Sequence, residues 1–117
     1  MLSAFIDDGY NREATIAAAP RQWPEINFTY RPMAAAEFAE HTAKSKGMDD
    51  QAWHKAIAAV MARKIVAWDV KTSSGGSVEV SESNLLKLLP PVLLRLWQIV
   101  TCNTPDDGTD EKNLPAG

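Results

Sequence analysis

The sequence predicts an α+β domain: a small antiparallel sheet, made of an N-terminal hairpin and a short later strand, packed against three to four helices. Three observations carry this. Glu25–Arg31 alternates apolar and polar residues, the period of two that a half-buried strand requires. Residues 50–65 place apolar residues at helical spacing behind Asp49 and Asp50, either of which can cap a helix. Finally, residues 85–102 form an apolar run whose strongly polar side chains are Lys87, Arg95 and Gln98. On a helix those three fall in one narrow stripe, so the apolar surface is wider than the roughly 100° of an ordinary surface helix.

In chain order, Asp7-Asp8-Gly9-Tyr10 signals a turn, and Ala14, Ile16 and Ala18 alternate with Glu13 and Thr15 as a first strand. Ala19–Pro24 is a loop, because its two prolines cannot donate to a ladder. Ile26, Phe28 and Tyr30 then share one face of a second strand, which pairs with the first as a hairpin. Pro32 ends it. An Ala- and Glu-rich helix is expected from Met33 to Lys44, with Ala35, Phe38, Ala39 and Thr42 inward. In the next helix Trp53, Ile57, Val60, Met61, the Lys64 stem and Ile65 form the inner stripe, with Trp53 and Trp68 as core. Gly75-Gly76 supplies a turn, Ser77–Ser81 reads as a short strand, and Ser81 or Ser83 caps the Leu-rich segment. Pro90-Pro91 divides that segment into a short helix and a longer one.

Of fifteen acids and twelve bases, four acids and one base follow Cys102, leaving eleven of each before it. The net charge of -3 is thus a property of the tail. The balanced body lacks the basic patch that nucleic acid demands, so no such partner is expected. Residues 1–103 read as one domain and 104–117 as a mobile acidic tail without an apolar period. The proline pair and the charges within 85–102 argue against a membrane span, each charge costing about 2.5 to 3.5 kcal/mol at a bilayer centre. The N-terminus has no signal-peptide pattern, and the single cysteine allows no internal disulfide. A cytoplasmic location is expected.

The residues point away from catalysis. His41 and His54 belong to no zinc motif, Asp49-Asp50 reads as a helix cap, and Ser73, Ser74 and Ser77 lie in a glycine turn without a nucleophile elbow. Cys102 has no basic neighbour in sequence and reads as filler at a helix end. No catalytic, cofactor or metal residues are predicted. A contact surface is predicted instead, because the closing helices carry more apolar surface than a small body can hide. The expected partner-binding residues are Leu93, Leu96, Trp97 and Val100 on the closing helix and Trp23 in the proline loop. They would cover a protein partner or a second copy of the chain.

The order of Phe28-Thr29-Tyr30-Arg31-Pro32, an Ala-rich helix, Ile65-Val66-Ala67-Trp68-Asp69-Val70, a glycine turn, Val78–Leu85 and final Leu-rich helices resembles the small tail assembly chaperones of long-tailed bacteriophages. The similarity runs from about Glu25 to Cys102, and its most specific part is Trp68-Asp69, the glycine turn and the Asn84-Leu85 start. The resemblance implies a protein of the host bacterial cytoplasm that binds the tape measure protein, keeps it soluble and helps recruit tail tube subunits. It also implies that the C-terminus is a place where a translational frameshift can extend the chain. Two other readings compete: a head-tail structural component or an inhibitor of a host defence complex, and an enzyme. A virion component stays in purified particles, an inhibitor copurifies with a host complex, and an enzyme would gather His54, Asp49 and Asp50 around a deep pocket.

Overall fold

Ile26, Phe28 and Tyr30 are buried and the residues between them are not, so the predicted alternation sets the orientation of the sheet. The computed structural model describes residues 2–108. In chain order its elements are β1 (Arg12–Ile16), β2 (Ile26–Tyr30), α1 (Ala35–Ser45), α2 (Asp50–Lys64), β3 (Ile65–Trp68), α3 (Glu82–Leu85) and α4 (Pro90–Val100). The sheet is antiparallel with β2 in the centre. Ala14 pairs with Phe28 and Ile16 with Ile26, and on the other side Phe28 pairs with Trp68 and Thr29 with Ala67. This is the predicted α+β class.

The third strand is not where alternation placed it. Residues 77–81 contribute only an isolated bridge from Ser77 to Lys71, while Ile65–Trp68, read as a helix end and exit, turns sharply into β3. The reason is tertiary. The outward edge of β2 needs a partner, Arg31 donates to the Lys64 carbonyl at 2.7 Å, and Asp69 donates to the Asn27 carbonyl at 3.1 Å. Asp69 adds its carboxylate, which accepts from the Asn27 amide at 2.8 Å. Residues 70–80 instead fold over the sheet end, where the Trp68 indole donates to the Val78 carbonyl at 2.6 Å.

Caps fix the helices. The Asp49 side chain accepts from the Ala52 amide at 2.8 Å, and the Ser81 side chain from the Asn84 amide at 3.1 Å. Gly75 takes a φ of +93° in the predicted turn. α4 begins at the proline pair, whose missing N–H groups lie where a helix has no acceptors for them.

The core lies between the inner sheet face and α2, α3 and α4. Ile16, Ile57, Met61, Leu85, Leu96, Ile99 and Val100 are its most enclosed members. α1 stays outside: none of its residues is buried, contrary to the expected inner face of Ala35, Phe38, Ala39 and Thr42. A helix with one large apolar residue has little to bury, and Phe38 only stacks on Trp97 with ring centroids 6.4 Å apart. A single charge pair also holds α1. Both Glu37 oxygens lie 2.6 Å from the ammonium of buried Lys64. Trp53 and Trp68, expected as core, are half-buried at its rim.

The first residues of the expected tail are placed against the sheet. Thr104–Gly108 lies along β1: the Asp107 amide donates to the Thr15 carbonyl at 2.9 Å, and Arg95 reaches Asp107 at 2.7 Å. Burial opposes ionisation of Asp107, but Arg95 and the Ala17 amide outweigh it and hold the carboxyl below its ordinary range. Residues 109–117 lie outside the described residues.

Two outcomes follow from this packing. Leu96→Ala should cost about 2–5 kcal/mol in denaturant unfolding, the range for a leucine removed from a full core; a cost below about 0.5 kcal/mol would place it at a surface. Lys64 pulls the Glu37 carboxyl below its ordinary range, against weaker opposition from burial. Because the folded value is depressed, the pair stabilises above the ordinary carboxylate range and is lost as pH falls through the folded value. Glu37→Gln should therefore lower stability at neutral pH by roughly 1 kcal/mol, a small figure because Glu37 is half in water. The same variant should flatten the decline in stability as pH falls below the ordinary carboxylate range, and an unchanged acid limb would refute the assignment.

Candidate interaction surface

The closing helix does not present the predicted surface. Leu93, Leu96 and Val100 are 3%, 1% and 0% exposed, taken up by α2 and β1. Trp97 is 8% exposed, covered from outside by Phe38 and by the His41 ring, whose centroid is 4.5 Å away. These four residues are therefore core side chains in the single subunit and, contrary to the expected exposed surface, offer no free face there. The sheet supplies a whole apolar face on one side of α4 and α2 closes another, so even a broad apolar surface is consumed. Burial, with a smaller effect of Lys44, lowers the pKa of His41, which favours a neutral ring against Trp97.

An apolar cleft remains beside that core. It has a volume of about 460 Å³, and its apolar walls are Trp23, Pro24, Ile26, Val70, Val78, Leu88, Leu89 and Val92. Trp23 is the one predicted contact residue that lines it. Its indole donates to the Ala17 carbonyl at 3.0 Å, which ties the proline loop to the end of β1. Trp23 and Ala19 also form a bridge. On the opposite wall Leu88 and Leu89 precede Pro90, where the backbone must leave the helical region. Leu89 is 47% exposed and its neighbour Leu86 41%. Lys71 and Lys87 stand on the rim with Glu25 and Asp69, so the rim carries both signs of charge.

Sequence reasoning found the wall at Trp23 and missed the one at Leu88–Leu89. The residues were visible as part of the apolar run, but which of its leucines stay in water depends on the break at Pro90, which rotates 86–89 out of the α4 stripe. Val78 belongs to the 77–81 alternation, but nothing in that period placed it beside Val70. Their juxtaposition comes from the 72–76 turn, closed by Val78 donating to the Val70 carbonyl at 3.1 Å.

The polar candidates stay apart. Asp49 is occupied as a cap. His54 Nδ1 is 2.6 Å from the Asp50 carbonyl, and since a carbonyl only accepts, that nitrogen carries the proton. Cys102 is exposed, with Arg12 Nη1 3.5 Å from its sulfur; that basic neighbour comes from β1, ninety residues earlier in sequence. Among the described residues no group of three or more His, Cys, Asp and Glu side chains has the arrangement of a metal site. No helix among them is long and apolar enough to cross a membrane. No protein family model, curated protein or solved structure matches the chain.

Charging the exposed wall should separate binding from folding. Leu89→Glu is expected to leave unfolding free energy within about 0.5 kcal/mol of the parent, as for an ordinary surface change, while a fluorescent apolar dye loses most of its binding. Unchanged dye binding would show that the cleft does not take apolar ligands.

Proposed function

We propose that this chain is a non-catalytic tail assembly chaperone of a long-tailed bacteriophage, which holds an apolar helical segment of the tape measure protein until tail tube subunits arrive. The observation that supports it is the cleft between the Trp23 loop and Leu88, Leu89 and Val92, of which Leu89 is exposed. Its shape suits the mode in which an amphipathic helix lays apolar anchors into a groove. The mixed charge of the rim suits a partner held reversibly, since exposed charge pairs steer contact and set register while adding little affinity. The resemblance of residues 25–102 to that family supplies the partner's identity, with the contact moved from Leu93, Leu96, Trp97 and Val100 to Trp23, Leu88, Leu89 and Val92. On this reading the protein acts in the host bacterial cytoplasm and needs no cofactor.

The test is coexpression of the full chain with the tape measure protein of a long-tailed phage. Soluble recovery of that protein should depend on the chain and should fall severalfold with Leu89→Glu. A chain that instead remains in purified particles as a stoichiometric component is structural, and one that leaves the tape measure protein insoluble is not its chaperone; either result would overturn the reading.

A further inference from the structure

The two edges of the sheet are protected in different ways. β3 is four residues long and breaks register opposite Thr29 and Tyr30, and a short, irregular edge is a poor template for another strand. β1 is regular and is covered by the chain itself. Its pairing with β2 turns the backbone groups of Thr15 outward, and by alternation those of Glu13 and Ala17 as well. The segment Thr104–Gly108 meets them: the Thr15 amide donates to Asp106 Oδ2 at 2.8 Å, the Thr15 carbonyl accepts from the Asp107 amide at 2.9 Å, and the Ala17 amide donates to Asp107 Oδ2 at 2.9 Å. Only the middle bond joins backbone to backbone. The outer two use carboxylates in place of a ladder.

The cover is held by charge and by one close fit rather than by an apolar side chain. Arg95 on α4 brackets it, donating to Thr104 Oγ1 at 2.5 Å, to the Pro105 carbonyl at 2.8 Å and to Asp107 Oδ1 at 2.7 Å. Gly108 lies flat on Thr15, where an added Cβ would stand 2.4 Å from the Thr15 Cβ.

We propose that Thr104–Gly108 is a detachable guard, and that the β1 edge beneath it is a self-association surface whose occupant is β1 of a second copy. The composition of the edge suits that occupant. An antiparallel copy centred on Thr15 opposes Thr15 to Thr15, Glu13 to Ala17 and Ala14 to Ile16. No like charges face each other, a Thr–Thr pair is favourable, and the apolar inner face continues across the junction. Such pairing satisfies the outward groups from Glu13 to Ala17 with backbone bonds, where the guard supplies two carboxylates. The guard also places Asp106 and Asp107 where the second strand would lie. This inference is independent of the chaperone reading, since it rests on the β1 edge, which meets the Trp23 loop only where the indole donates to the Ala17 carbonyl, and not on the cleft.

Sedimentation or light scattering on the full chain tests it, with Asp106→Asn, Asp107→Asn and Gly108→Val combined to release the guard. The released variant should dimerise with a dissociation constant at least tenfold below that of the parent. Adding Ala17→Pro, which removes an edge donor without touching the β1–β2 ladder, should return it to the parent value. A released variant that stays as monomeric as the parent with an unchanged near-ultraviolet spectrum overturns the proposal, as does a dimer indifferent to Ala17→Pro. Should the triple variant lose that spectrum, Gly108→Val alone decides by the same two criteria.

Discussion

The burial of α4 against the sheet and α2 is the constraint on which the rest of this structure depends. Val92, Leu93, Leu96, Trp97, Ile99 and Val100 all lie within the core, and they come from a helix of eleven residues. So dense an apolar helix can sit only where two layers meet. The sheet provides one layer through Ile16, Ile26 and Phe28, and α2 provides the other through Ile57 and Met61. α1 is left to shield Trp97 from the side, and its weak burial follows from the core being full without it.

That arrangement explains which features were legible in the sequence. The hairpin could be read because alternation in residues 12–16 and 26–30 reports a sheet with one covered face. Asp49, Ser81 and the proline pair could be read because caps and breaks are local chemistry. β3 could not. Ile65 and Trp68 continue the apolar stripe of α2, and only the unpaired edge of β2, a tertiary fact, converts that stretch to a strand. The 77–81 alternation misled for the same reason, since no sheet edge lies within its reach beyond the bridge at Lys71.

The contact surface shows the same division. Apolar surplus in residues 85–102 was a sound signal that something would remain uncovered, but it carried no information about which residues. Packing took Leu93, Leu96, Trp97 and Val100 and left Leu86 and Leu89, because the break before Pro90 turns those two away from the α4 stripe. Trp23 stayed only half-buried because it is held by its indole bond to the Ala17 carbonyl and by backbone bonds to Ala19. The acidic residues after Cys102 were likewise visible as charge, while their use as edge caps depends on Arg95 and Thr15, which lie far apart in sequence.

Amide hydrogen exchange on the isolated subunit tests most directly whether α4 is consumed within one chain. The account predicts that the amides of Leu96–Val100 exchange as slowly as those of Ile57–Met61, both opening only with global unfolding. Rapid exchange in α4 beside a protected α2 would contradict it, returning the closing helix to the surface and leaving the Trp23 cleft without its fixed wall.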